Sequence, residues 1–412
     1  PAAIRCAWLT NGAALKGFTL RGGATRAGSI NPSTQLNGGG AFGLSTNAVL
    51  EGCHLLGNAA FNSGGGACQL KLLNCILKAN TACGAGSGST SGYGGGAYGC
   101  LLQGCLVLDN SANRDGGGLA ASHAVGCALS RNATGDYGYG GGAHQSTLVH
   151  CTVSRNQAAS SGYGGGVSSS TLTNCIVYLN YGPEGTKASS TNHYNSTFVF
   201  SCSAPLPGGP GNLDANPGLL PDDIHLTSSS PCLAAGTPVS APPADLDGQP
   251  WKPTPPMGCD EWHPEPFVVG LPELHVNSGP PVLQFTGLFL AGQEPFQLAW
   301  FKDGQPLDEG SHLQGTSATS LTIRGFSPDD AGNYQLVAHN DFGAHTGSVV
   351  RVRVHCVDAS CPAPQFPYSN WFSAAATLQS AIDAAEPGAL VLVTNGIYAA
   401  GGKAMGDGLT NR

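Results

Sequence analysis

Six glycine triplets recur in the first half of the chain, starting at Gly38, Gly64, Gly94, Gly116, Gly140 and Gly164, with starts 26, 30, 22, 24 and 24 residues apart. Nine residues past the last glycine of five triplets stands a cysteine: Cys75, Cys105, Cys127, Cys151 and Cys175. After the first triplet, Cys53 comes four residues later than that spacing. Five residues beyond each cysteine is an asparagine: Asn58, Asn80, Asn110, Asn132, Asn156 and Asn180. Fixed offsets held through six copies identify a repeat architecture. A period of 22–24 residues with short apolar runs between turn residues fits one coil of a right-handed parallel β-helix. The Leu pattern of leucine-rich repeats, which share that period, is missing.

In such a fold, equivalent residues of successive coils stack roughly 4.8 Å apart, so each column becomes a ladder. Leu50, Leu72, Leu102, Ala124, Leu148 and Leu172 form one apolar column, and Leu55, Leu77, Val107, Leu129, Val153 and Val177 another. These are the expected core. The asparagine column reads as an amide ladder at a turn, each side chain bonding the next. The triplets suit a bend that needs positive φ and close backbone approach. The cysteine column reads as a stack of small buried thiols. In-register parallel neighbours are poorly oriented for disulfides. A metal there would need histidine or carboxylate partners, and only His54 and His150 adjoin a column cysteine. No metal and no cofactor is therefore expected.

The pattern extends in both directions. Residues 15–20 look like an earlier coil with Phe18 in the cysteine column, and residues 197–202 like a strand of a later one. Residues 203–262 lose the period, become rich in Pro, Gly and Asp, and read as irregular last coils and a cap. The triplet–Cys–Asn coils, the Ser230-Pro231-Cys232-Leu233-Ala234-Ala235-Gly236 stretch and Asp245-Leu246-Asp247-Gly248 together resemble bacterial secreted right-handed β-helix proteins. More narrowly, they resemble pectate-lyase-like surface proteins with choice-of-anchor-type regions. The resemblance covers nearly all of residues 1–262 and implies fold far more than activity. Cys259 departs from the small residue this family has in its final strand, and a pairing with Cys232 is one possibility.

From about residue 266 the texture changes to alternating strands. Trp300-Phe301-Lys302-Asp303-Gly304 resembles strand C of an immunoglobulin domain, and Asp330-Ala331-Gly332-Asn333-Tyr334 resembles its tyrosine corner. The two positions of the usual inter-sheet disulfide fall at Leu288 and Leu336, so apolar packing is expected in its place. Residues 376–385 then show helical spacing, Pro387-Gly388 ends it, Val391-Leu392-Val393 reads as a strand and Asn395-Gly396 as a turn. This resembles the capping helix and first coil of the same β-helix family. Cys356 and Cys361 are a candidate local disulfide there. The expected domains are 1–262, a β-helix truncated at its N-terminal end; 263–355, immunoglobulin-like; and 356–412, the start of a second β-helix. One frame of a tandem array would look like this.

Charged residues are only 10% of the chain, the net charge of −8 is spread out, and no basic stripe exists, which argues against nucleic acid. No apolar run approaches the roughly 18 residues a membrane helix needs. Glycosidic cleavage usually takes two carboxyl groups at fixed separation. The first 200 residues hold only Glu51, Asp109, Asp115, Asp136 and Glu184, and no two share a column in adjacent coils. No catalytic residue is assigned. Tyr93, Tyr139 and Tyr163 precede three triplets, with Asp115 interrupting, and are the candidate sugar-stacking surface. The reading is a non-catalytic, extracellular or cell-surface structural protein forming a rod, fibre or adhesive stalk on a bacterial surface. Its expected partners are copies of itself, head to tail, and a surface or matrix polysaccharide. The alternative is a carbohydrate-binding or polysaccharide-cleaving β-helix module.

Overall fold

Each coil is cut from three short strands because the sequence places an inward apolar residue in each and a turn residue between them. In one coil these strands are Ala143–His144, Thr147–Val149 and Thr152–Ser154. One residue at each corner, Gln145, His150 and Arg155, takes a left-handed φ of 47°, 48° and 54° and swings the chain to the next face. The computed structural model describes residues 4–28, 33–84, 91–159, 161–182, 191–238, 242–269, 273–277, 281–386 and 388–398. They fall into two units, Pro1–Trp262 and His263–Arg412.

The first unit is a parallel β-helix. Three eight-stranded parallel sheets run from Ala7–Leu9 to His193–Tyr194, from Ala14–Lys16 to Thr197–Val199, and from Thr19–Arg21 to Cys202–Ser203. A short fourth sheet runs from Ala59–Ala60 to Ala133–Thr134. In the second sheet Leu50, Leu72, Leu102, Ala124, Leu148 and Leu172 pair in register, and all are buried. The third sheet does the same with Leu55, Leu77, Val107, Leu129, Val153 and Val177. Each such leucine contributes about 1.5–3 kcal/mol of transfer free energy.

Phe18 holds the register position of Cys53 but is 56% exposed, because among the described residues its coil is packed on one side only. Residues 203–262 also do more than close the end. Leu213 pairs with Cys202 as a partial last coil. The chain then turns back along the outer side of the third sheet. Ile224 and Cys259 pack on Ala128, Cys259 Sγ lies 3.3 Å from Thr152 Oγ1, and Arg155 pairs with Asp223 at 2.6 Å. This overlay explains why the outward side chains Ala128, Thr152 and Ile176 are buried.

The second unit begins as an immunoglobulin-like sandwich. One sheet orders Glu273–Asn277, Val282–Thr286, Leu321–Arg324 and Leu313–Gln314; the other is built on Gln297–Lys302 and Gly332–Asn340. Trp300 is fully buried, pairs across from Leu336, and donates its indole N–H to Ala318 O at 2.8 Å. Leu288 belongs to the same core, but the ring against Trp300 and Tyr334 is Phe285, with centroids 5.5 and 4.9 Å away. Tyr334 donates its hydroxyl to Asp330 O at 2.7 Å, closing the tyrosine corner. Beyond the sandwich, Val354–Val357 pairs in parallel with Leu390–Val393. Helix α1, Leu378–Ala384, lies between them in sequence, capped by Thr377, whose hydroxyl accepts from Ser380 N. Pro387, residues 399–412 and Glu184 lie outside the described residues.

Candidate functional site

Every corner of the coil carries a ladder of polar or thiol side chains. Asn132 shows the asparagine rung in full. Its Nδ2 donates to Val107 O and to Asn156 Oδ1, both at 2.8 Å, and its backbone N–H donates to the same Oδ1 at 2.9 Å. Its own Oδ1 accepts from Asn110 N and Nδ2 at 3.0 and 2.9 Å. The same bonds link Asn58 to Asn80, Asn80 to Asn110, Asn156 to Asn180, and Asn180 onward to Asn192. Asn192 lacks the cysteine five residues before it, so the C-x4-N pattern misses it.

At the thiol corner, Cys53, Cys75, Cys105, Cys127, Cys151 and Cys175 are all buried. The Cys75 and Cys105 amides donate to the Sγ of the next coil at 3.4 and 3.3 Å. Ser201 ends the column, accepting from Cys175 N at 3.0 Å. Burial pushes the thiols of Cys105, Cys127 and Cys151 well above their ordinary value. All fifteen cysteines are free. Cys232 shares a cluster with Cys202, whereas Cys259 sits in another with Ala128 and Ile224. Cys356 and Cys361 are both unpaired. A third ladder was not anticipated: the amides of Cys100, Ser122, Ser146 and Ser170 donate to Oγ of Ser122, Ser146, Ser170 and Ser196 at 3.1–3.2 Å. Its signal is a serine five residues before Cys127, Cys151, Cys175 and Ser201.

The tyrosines divide. Tyr139 and Tyr163 stack at 5.8 Å, and Tyr163 stacks on Tyr194, absent from the sequence reading, at 4.8 Å. Tyr93 instead meets Tyr98 at 6.4 Å, one coil beyond Asp115. Asp115 is buried and its Oδ1 accepts from Tyr139 N at 2.8 Å; its Oδ2 is 3.9 Å from His144 Nε2. Burial lowers the His144 pKa, with Asp115 pulling it partly back. Tyr163 and Tyr194 are 37% and 41% exposed. Rings stacked on one another offer a ligand their outer face and edges only, so ladder packing uses most of this surface.

A second polar centre lies wholly inside the overlay segment. Asp245 accepts from Asp247 N, Gln249 N and Glu261 N at 3.0, 2.7 and 3.2 Å, which consumes its carboxylate in tying two loops together. Asp222 contacts His225 Nδ1, and Asp247 Oδ2 lies 3.0 Å from His225 Nε2. Asp260 Oδ2 accepts from Leu226 N at 2.7 Å. Burial pushes Asp260 up to about 8 and Asp245 up to about 6. Burial opposes a charged His225, but Asp222 and Asp247 outweigh it and raise its pKa well above the ordinary value.

Comparison with known proteins bears on the second unit. The titin M3 domain is 25% identical over 20% of this chain and 90% of that domain, with a TM-score of 0.15. A titin I-band fragment is 19% identical over 23% of this chain and 39% of the fragment, with a TM-score of 0.18. The family described as immunoglobulin I-set domain matches residues 284–354, so this stretch carries an I-set domain.

Proposed function

We propose that this chain is a frame of a non-catalytic, extracellular structural array, joining β-helix and immunoglobulin-like modules into a rod, fibre or adhesive stalk on a bacterial surface. The observation that carries the reading is the axial continuity of the ladders. From Asn58 to Asn192 each amide is bonded to the next, and the serine and thiol columns run beside it. Such a stack spends its polar groups on linking coils rather than on gathering a reactive centre. An I-set domain joined to it suits a spacer or adhesive role. Copies are proposed to join head to tail, since exposed apolar side chains mark both regions that would meet: Trp8 and Phe18 in the first coils, and Ile382, Val393 and Ile397 beyond the sandwich. Among the described residues, no helix is long and apolar enough to cross a membrane. Protease shaving of intact source cells tests the location: peptides from both units are expected in the released fraction. Their recovery only after lysis would contradict it.

A second reading, a carbohydrate-binding or carbohydrate-cleaving module, is favoured by the half-exposed Tyr163–Tyr194 stack beside the buried Asp115–His144 pair. Affinity electrophoresis in polysaccharide gels separates the two. Retardation abolished by Tyr194→Ala supports a sugar-binding surface at the tyrosine stack, and unchanged mobility counts against the second reading.

A further inference from the structure

We propose that His225, Asp247 and Asp260 form a site for one divalent transition-metal ion of the zinc class, which fastens the overlay segment to itself. The three residues come from separate irregular loops. Yet one ligand atom from each, a ring nitrogen of His225 and a carboxylate oxygen of each aspartate, lies within 4.8 Å of the others. Such a triangle closes around a single ion when the ligands draw in to the roughly 2.0–2.2 Å of zinc–nitrogen and zinc–oxygen bonds.

The histidine carries the argument. Its side chain is 4% exposed. Its Nδ1 is engaged by Asp222, the arrangement in which a carboxylate fixes the tautomer and turns Nε2 outward as a ligand. Nε2 lies 3.0 Å from Asp247 Oδ2 but makes no hydrogen bond of proper geometry, so a buried ring nitrogen aims into the cluster without a directional partner. Asp222 stands behind the ring as the orienting group, while Asp245 is committed to the amides of Asp247, Gln249 and Glu261. That leaves Asp247 beside Nε2, with a carboxylate oxygen of Asp260 in the same cluster. Two carboxylates and an imidazole under one roof need a positive charge between them, and a proton or a metal ion supplies it. Imidazole favours zinc-class ions over calcium or magnesium, which take all-oxygen shells.

There is also a way in. A cleft of about 340 Å³, lined by Asn74, Gln103, Pro242, Asp245 and Asp247, opens beside the cluster. An ion here has a structural task. Among the described residues of 222–262 the overlay has no regular strand, and its loops are joined by scattered backbone bonds such as Leu246 N to Cys259 O and Met257 N to Cys232 O, with Asp260 and Asp245 accepting from the amides of Leu226 and Glu261. Metal bonds between the loops at 225, 247 and 260 would stiffen that joint.

The test uses the whole chain, with accessible thiols alkylated, stripped with chelator and dialysed against micromolar Zn²⁺. About one zinc per chain is expected by elemental analysis, with a rise in Tm of roughly 5 °C that chelator reverses. X-ray absorption should show a nitrogen and oxygen shell at about 2.0–2.1 Å without sulfur at about 2.3 Å. His225→Gln risks unfolding. Asp247→Asn keeps the side-chain size but removes the charge 3.0 Å from His225 Nε2, so it is expected to lower the metal-free Tm somewhat and to lose the zinc-dependent rise above that value. The site is overturned by zinc below about a tenth per chain, by a sulfur shell, by a Tm that responds to Ca²⁺ and not Zn²⁺, or by an undiminished response in Asp247→Asn.

Discussion

A buried asparagine in this stack is not interchangeable with its exposed neighbours. Asn132→Ala removes two bonds given and two accepted by the side chain, and leaves Val107 O, Asn156 Oδ1 and the Asn110 amide without it. At about 1–3 kcal/mol for each buried group left unpaired, and with partial relaxation, the expected loss is roughly 2–4 kcal/mol by urea unfolding. The adjacent Arg131→Ala breaks a half-exposed pair with Asp109 at 2.7 Å and should cost under about 1 kcal/mol. Equal losses at the two sites would show that the ladder is solvated. The thiols give a chemical counterpart. Cys6 and Cys83 are exposed, while the column is buried, so a thiol reagent at neutral pH should modify those two quickly and the column only on unfolding. The folded pKa values of Cys105, Cys127 and Cys151 are raised. The unfolded chain therefore releases these protons first as pH rises, and stability should fall above about pH 8.5. A stability flat to pH 10 would contradict the burial of the column. Residue columns written in one amino acid, as Cys and Asn are, are legible in sequence. The serine column is not, because Leu70 and Cys100 occupy its earlier rungs. His225, Asp247 and Asp260 have no period at all and meet only because the chain doubles back.

At the scale of the coil, the glycine triplet is a packing requirement as much as a bend. A Cβ on Gly141 would strike the carbonyl oxygens of Gln157 in its own coil and Gly165 in the next. Both are backbone atoms held by the sheets, so neither can yield without opening the stack. Gly57 differs on both counts: it has a left-handed φ, of 59°, which Gly141 lacks, and a Cβ there meets nothing. Gly57→Ala should therefore cost only the conformational term of about 1–2 kcal/mol, and Gly141→Ala clearly more, enough to impair folding. Similar midpoints in urea for the two variants would reject the close approach. In the sandwich, the missing disulfide is replaced by Phe285, Trp300, Tyr334 and Leu336, all within 1% of full burial. Trp300 and Tyr334 were readable because strand C and the tyrosine corner have local signatures. Phe285 was not, because spacing from Trp300 pointed to Leu288, just past the strand Val282–Thr286.

For the molecule as a whole, the period made the parallel β-helix plain and the strand alternation made the sandwich plain. The return of residues 214–262 along the third sheet was hidden, since irregular backbone leaves no pattern. Function rests on the proposed joint between copies. Leu390–Val393 pairs only with Val354–Val357 among the described residues, and Val393 and Ile397 stay 44% and 90% exposed beside it. A strand edge flanked by bare apolar side chains calls for a partner, and a joint between two unlike surfaces propagates rather than closes. Sedimentation velocity of the purified chain across a wide concentration range, beside Val393→Asp, tests this most directly. The account predicts a wild-type distribution that broadens to ever larger species as concentration rises, collapsing to monomer in the variant. A wild-type chain that stays a single monomeric boundary throughout, or a closed dimer unaffected by Val393→Asp, would contradict it.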